Sequence, residues 1–275
     1  MKPRLNRLVA EDGRCLDVAV DHGLFGEASL LTGIEDIGKV VGALVEAAPD
    51  AIQLSAGQAH LLQSRVGPRK PALVLRTDIS NVYDGERSSY LFSQAIDTAV
   101  DQAVQLDAAC ICVNLFSIPE HPELHHQCVR NICALKVAAE SLGMPLMIEP
   151  LAMRAKDGSY AVNGDTRAIV SLVRQAVELG ADLIKADPTD NLDDYDQVVR
   201  AGGRCPVLVR GGGRVSDEDM LRRAWLVLSH GAAGIVYGRN IIQHDQPVAI
   251  TRALMAIVHD GTSVDGALKL MDDHA

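Results

Sequence analysis

Lys185 lies in the apolar run Leu183-Ile184-Lys185-Ala186. An ammonium pointing inward from such a run loses most of its hydration, which disfavours the charged form and leaves an amine able to attack a carbonyl. The product is a protonated Schiff base, an electron sink that lets an adjacent carbon–carbon bond break or form. Chemistry of this kind needs groups that move protons. Two carboxylates stand in strand-end contexts, Asp21 in Val20-Asp21-His22-Gly23 and Glu149 in Ile148-Glu149-Pro150, and either could take the proton of a substrate hydroxyl. The competing reading is a lysine paired with Asp17, Asp21 or Glu149 that merely fills space, with the carboxylates capping helices or holding arginines. Buried ion pairs are poor stabilisers and need a reason to persist, which favours the chemical reading.

Two glycine-rich turns suggest what the site would hold. Arg210-Gly211-Gly212-Gly213-Arg214 and Gly238-Arg239-Asn240 have the small residues that let backbone N–H groups close around a phosphate. Arg76, Arg210 and Arg239 add positive charge and imply an anionic substrate; Asn114 joins them as a candidate substrate contact. His121, His125 and His126 invite a metal reading, but their spacing matches no standard zinc motif, so no metal and no cofactor are expected. His22 reads as a supporting or helix-start residue.

These side chains need a scaffold that brings them to one place. Short apolar runs alternate with amphipathic stretches along the chain. The expected strands are Cys15–Asp21, Ala51–Ser55, Ala72–Asp78, Cys110–Leu115, Pro145–Glu149, Leu183–Asp187, Pro206–Arg210 and Gly234–Tyr237. The expected helices are Ile34–Ala48, Gln58–Val66, Ser89–Leu106, Leu124–Leu142, Thr166–Leu179, Leu192–Ala201, Asp217–Ser229 and Pro247–His259, with an extra C-terminal helix over Val264–Asp273. Glycine stops follow several of them, at Gly143, Gly180, Gly202 and Gly231. Eight βα units without a linker or composition break predict one α/β domain over residues 1–275, a closed (β/α)8 TIM barrel. Strand alternation then turns Asp17, Asp21, Gln53, Ser55, Arg76, Asp78, Cys112, Asn114, Glu149, Lys185, Asp187 and Arg210 inward. The polar ones cluster at the C-terminal strand ends, where such barrels carry their chemistry, and the loops after strands 7 and 8 are the usual phosphate site.

Composition narrows the partners. The 275 residues hold 26 Lys and Arg against 36 Asp and Glu, a net charge of −10, which argues against nucleic acid. No run approaches a membrane span, and the charged stretch from Met1 to Asp12 lacks the apolar core of a signal peptide, so a cytoplasmic protein is expected. The six cysteines show no Cys-x-x-Cys pair and read as buried, reduced thiols.

Taken together, these motifs resemble the Schiff-base (class I) aldolase superfamily of archaeal-type fructose-bisphosphate, deoxyribose-phosphate and tagatose-bisphosphate aldolases. Val20-Asp21-His22-Gly23 is similar to the strand-1 motif whose aspartate assists proton transfer. The run from Glu178 to Lys185 resembles the segment ending in the Schiff-base lysine, and Gly211-Gly212 with the run from Gly231 to Asn240 resembles the two phosphate-binding turns. The archaeal fructose-bisphosphate enzymes carry a tyrosine in a Tyr-Pro-Arg-Gly run after strand 5. Here that stretch reads Glu149-Pro150-Leu151-Ala152-Met153-Arg154, closer to the sulfofructose-phosphate and tagatose-bisphosphate branches, which shifts the acid/base role toward Glu149. The resemblance implies a homo-oligomer and a lyase acting on a small phosphorylated sugar or sugar acid. Arg76 and Arg210 could hold a second anion, which brings in 2-deoxy-5-keto-gluconate 6-phosphate beside ketose bisphosphates, with dihydroxyacetone phosphate and an aldehyde as products. The alternatives are an acyl-transferring, thiolase-like member using the same lysine, and a non-catalytic phosphate-ligand-binding barrel.

Overall fold

The structure is a computed structural model that describes residues 2–67, 70–83 and 90–272. Eight parallel strands form the barrel: β1 (Cys15–Ala19), β2 (Ala51–Leu54), β3 (Ala72–Arg76), β4 (Cys110–Ser117), β5 (Leu146–Lys156), β6 (Leu183–Ala186), β7 (Val207–Arg210) and β8 (Gly234–Tyr237). Their order is β4-β3-β2-β1-β8-β7-β6-β5, and pairing of β4 with β5 closes the ring. Helices separate successive strands, as a right-handed parallel crossover requires. The fold is the expected TIM barrel, with Val264–Asp272 as the C-terminal helix. Among the described residues, no helix is long and apolar enough to cross a membrane.

The period-two pattern divides the apolar residues into two shells. Leu16, Val18, Ile52, Leu73, Leu75, Ile111, Val113, Ile148, Ile184, Val209 and Ile235 face the helices and form the larger core. Cys15, Ala51, Ala72, Val74, Cys110, Cys112, Met147, Leu183, Leu208 and Val236 fill the lower barrel interior. A 3-10 turn, Pro3–Arg7, closes that lower end: Leu5 and Leu8 pack into the interior cluster. Lys2 Nζ donates to the Met144 carbonyl and to Asp182 Oδ2, both at 2.9 Å, and Arg4 donates to the Ala108 carbonyl at 2.9 Å, pinning the plug to the β3–β4, β4–β5 and β5–β6 connections.

Several elements differ from expectation. β5 runs beyond Glu149 to Lys156, pairs with β4 as far as Ser117 opposite Ala152, then leaves the barrel and turns back as an antiparallel strand, Ser159–Val162. The turn is Asp157-Gly158, with φ of 48° and 82°, the left-handed pair that a two-residue hairpin demands. The expected helix Ser89–Leu106 begins outside the described residues at Ser89. Its described part is a short strand, Ser93–Ala95, antiparallel to Asp78–Ser80, followed by a helix of only Ala99–Gln105. Gln58–Val66 contracts to a single turn, His60–Gln63. Ile34–Ala48 becomes Ile37–Ala47 because Asp36 caps it, its Oδ1 accepting the Lys39 N–H at 3.0 Å. The helix expected to stop at Gly202 includes that residue and ends at Gly203, φ 61°. The C-terminal helix was expected to reach Asp273, which lies outside the described residues. All six cysteines are free; Cys133, expected to be buried, is exposed on Pro122–Ser141.

Candidate active site

The upper interior of the barrel is a charged network. Lys185, 4% exposed, sits in mid-β6, and its Nζ lies 3.1 Å from Glu149 Oε2 on the neighbouring β5. The same carboxylate takes a 2.6 Å hydrogen bond from an Arg76 terminal nitrogen, and its Oε1 is 2.9 Å from Arg210 Nε. Arg76, on β3, also donates from Nε to Asp21 Oδ2 at 2.6 Å and reaches Asp78 at 3.3 Å. Arg210, at the end of β7, donates to Asp187 at 2.8 Å and to the Tyr83 hydroxyl at 3.1 Å. Each arginine fork therefore spans strands that are not adjacent, and the network cross-braces the barrel mouth.

Charge balance sets the protonation states. Burial alone would raise the Glu149 carboxyl, but Lys185, Arg76 and Arg210 outweigh it and hold it well below its ordinary range. The same contest at Asp21 ends the same way, with Arg76, Lys185 and His22 opposing burial. His22 goes down to about 4 through burial and the nearby Lys185, Arg239 and Arg210, against the pull of Asp21, so its ring is uncharged at neutral pH. Asp17 behaves oppositely. It is fully buried below the network, neither of its oxygens has a hydrogen-bond partner among the described residues, and burial pushes it up to about 7.

A cavity of 310 Å³ opens above Lys185, lined among others by Asp21, His22, Arg76, Glu149, Arg210, Gly211, Gly212, Gly238 and Arg239. That is the lower end of the range for small-molecule sites. Of the residues expected to act on or touch substrate, Lys185, Glu149, Asp21, Arg76, Arg210, Arg239, Gly211, Gly212 and Gly238 thus meet at one cavity. Asn114 does not line it; its backbone and side-chain nitrogens donate to Asp78 Oδ2 at 3.1 and 2.8 Å, fixing the aspartate that supports Arg76. Glycine is needed at two of the turns. A Cβ on Gly238 would lie 2.6 Å from the His22 ring and 2.9 Å from the Ala19 carbonyl, and one on Gly211 would lie 3.0 Å from the Tyr237 ring. The Gly211 N–H itself donates to the Val236 carbonyl at 3.1 Å, so Gly211 offers the cavity close approach rather than a donor. Arg239 donates to the Gly212 carbonyl at 3.1 Å and, among the described residues, has no carboxylate partner.

Sequence reasoning missed the aromatic wall. Phe25, from the turn after β1, and Tyr83, from the loop after β3, line the cavity. Their rings meet edge to face at 5.3 Å, and the Arg76 guanidinium lies 5.4 Å from the Phe25 centroid. Both follow strand-end polar motifs by only a few residues, but nothing in their loops has a period that assigns a direction. Two of the three histidines considered for metal have other partners: His121 lies 2.7 Å from the Tyr160 hydroxyl and 3.0 Å from Glu123, and His125 2.8 Å from the Phe116 carbonyl.

A closed parallel barrel with a buried lysine and charged residues at its C-terminal mouth is a TIM barrel whose polar cluster lies where barrels of this class carry their chemistry. More narrowly, a sequence model of the DeoC/LacD family aldolases matches residues 15–244, and the chain belongs to that family. It is 29% identical to an uncharacterised aldolase of Saccharolobus solfataricus over 95% of each chain. It is 31% identical to the 3-hydroxy-5-phosphonooxypentane-2,4-dione thiolase of Escherichia coli K12, over 98% of this chain and 86% of the relative. Among solved structures it superposes on a Schiff-base-forming fructose-1,6-bisphosphate aldolase with a TM-score of 0.77 and 25% identity, covering 94% of this chain and 99% of that one.

Proposed function

We propose that the protein is a class I, imine-forming enzyme that makes or breaks the carbon–carbon bond next to the carbonyl of a phosphorylated ketose, releasing dihydroxyacetone phosphate and an aldehyde. The observation that carries this reading is the buried Lys185, its Nζ 3.1 Å from Glu149, beneath a cavity lined by Gly211, Gly212 and Gly238. A protonated lysine imine carries its positive charge on the lysine nitrogen, where the fixed Glu149 carboxylate stabilises it without rearranging. Both Glu149 oxygens are engaged by cations. Asp21 accepts from Arg76 and Gln53 on Oδ2, so its Oδ1 is the freer carboxylate oxygen at the cavity. Proton transfer at the substrate hydroxyl therefore falls to Asp21, with Glu149 holding the iminium.

The phosphate sits at Gly212, Gly238 and Arg239. Arg76 and Arg210 are each neutralised by two or more carboxylates, which withdraws support from a second anion there and favours a ketose phosphate over a keto-sugar acid. Acyl transfer through the same imine is the second reading, favoured by the thiolase relative. Borohydride reduction with dihydroxyacetone phosphate, followed by intact mass, tests the shared step. A stoichiometric adduct that disappears in Lys185→Ala is expected; no adduct, or one that survives the substitution, overturns the proposal.

A further inference from the structure

Asp17 is a buried carboxyl for which the proposed chemistry has no use. It lies beneath the cavity: Ala19, the next inward residue along β1, and Val236, its register partner on β8, both line that cavity. Its own layer of the barrel is apolar, with Cys15 before it on β1, Ala51 opposite it on β2 and Val236 on β8. Asp17 and Gln53 are both fully buried. Together they leave three acceptor oxygens without a partner among the described residues, both of Asp17 and Oε1 of Gln53. The other end of the Gln53 amide is committed: Nε2 donates to Asp21 Oδ2 at 2.7 Å, which fixes Oε1 as the accepting end. Gln53 pairs in register with Ala19, the inward residue midway between Asp17 and Asp21. One amide thus stands level with the gap between the two carboxyls.

Buried acceptors without a donor are costly. Protonating Asp17 supplies a donor, because a carboxylic acid has an O–H where a carboxylate has acceptors alone. The charges around Asp17 nearly cancel. Lys185 from β6 and Arg76 from β3 are matched by Asp21 on β1 and Glu149 on β5, while Cys15 and Cys110 are thiols that burial keeps neutral. Burial therefore decides its state. We propose that Asp17 is a positioning residue: held as a neutral carboxylic acid, it donates to Gln53 Oε1 and so locks the amide that donates to Asp21. This rests on the reading of Asp21 as the proton-transfer group. With Oδ2 tied by Gln53 and Arg76, Asp21 keeps Oδ1 for the substrate. An ionised Asp17 attracts the amide N–H instead, turning Gln53 over and taking its donor away from Asp21.

The rate of imine formation reads this out. A lysine ammonium and a ketone give a protonated imine and water, so two protons pass from nitrogen to the departing oxygen, and Asp21 is placed to carry them. The rate of adduct formation with dihydroxyacetone phosphate, quenched with borohydride and read by intact mass, should fall at least tenfold in Asp17→Leu, an apolar replacement suited to that layer. Gln53→Met should fall as far. The double variant should be no slower than Gln53→Met alone, since Asp17 acts through Gln53. Asp17→Asn keeps a donor and should restore the rate at pH 6. The ratio of the unaltered to the Asp17→Asn rate should drop about tenfold from pH 6 to pH 8, because Asp17, raised to about 7, ionises over that range and asparagine does not. Infrared difference spectra against Asp17→Asn should show a protonated-carboxyl band at pH 6 that is gone at pH 8. Unchanged trapping in Asp17→Leu, additive losses in the double variant, or no carboxyl band at pH 6 overturns the positioning role. No adduct in the unaltered protein overturns the Schiff-base reading instead, and the infrared band still tests Asp17.

Discussion

The two halves of the barrel interior are built from the same eight strands and follow opposite rules. Below, Cys15, Ala51, Val74, Cys110, Met147 and Leu208 pack with Leu5 and Leu8 of the plug, and stability there comes from apolar area removed from water. Above, Arg76, Lys185 and Arg210 face Asp21, Asp78, Glu149 and Asp187, a network whose ions must be desolvated and repaid by one another. The lower half could be replaced by other apolar residues of similar volume. The upper half is costly to assemble, and on the proposed reading it is retained because Lys185 has chemistry to do. Stability and activity should therefore separate along the barrel axis.

The largest effect tests the upper half. Arg76→Met leaves Asp21, Asp78 and Glu149 without their shared guanidinium, and removing one partner from a buried network costs about 3–5 kcal/mol. Urea denaturation should show that loss together with loss of imine trapping, since Glu149 is then mispositioned. Leu5→Ala tests the lower half: truncating a buried leucine costs about 2–3 kcal/mol, with trapping retained. If Leu5→Ala abolished trapping as Arg76→Met does, the two halves would be one cooperative site and the comparison would fail.

Asp17 lies at the boundary and sharpens it. Its carboxyl is raised to about 7 when folded, so between about pH 4 and 7 the native state binds a proton that the unfolded chain has lost. Stability should fall as pH rises through that window. Asp17→Asn mimics the protonated form, so it should flatten the slope and stabilise the protein above pH 7. An unchanged slope between pH 5 and 7 would show that Asp17 is not the boundary acid.

How much of this was legible follows from which structures have a period. Alternation along β1, β3, β5 and β6 turns Asp21, Arg76, Glu149 and Lys185 inward without any knowledge of tertiary structure, and that is why the cluster could be read. Arg76 and Arg210 were legible as inward charges, but which carboxylates neutralise them was not, because Asp78 apart their partners come from strands distant in sequence. Tyr83 and Phe25 sit in loops, where direction is set by tertiary packing. The hairpin was missed because Pro150 looked like a strand end. At that position β5 still pairs with β4, Pro150 opposite Leu115, and the Asp157-Gly158 turn signal lay further on.

The smallest effect lies outside the lower end of the barrel. His259 on Pro247–Asp260 bridges Asp12 at 2.8 Å and Asp50 at 2.9 Å, and Asp50 in turn accepts the Leu16 N–H at 2.7 Å, so one imidazolium ties the last long helix to the start of β1. Hydrogen bonds to Asp50 and Asp12 raise it to about 9 against the opposing effect of burial. A histidine whose folded value is raised contributes fully below its unfolded value of about 6.5, and the contribution is lost as pH rises through about 9. The site is near the surface, so the effect should be below about 1 kcal/mol. His259→Asn should remove stability at pH 6 and almost none at pH 10, with trapping unaltered at both. Asp17 acts between about pH 4 and 7 and His259 between about 6.5 and 9, so the boundary and the lower end of the barrel have separable pH signatures. A His259→Asn variant that lost imine trapping at pH 6 would mean that the lower end positions the upper one after all.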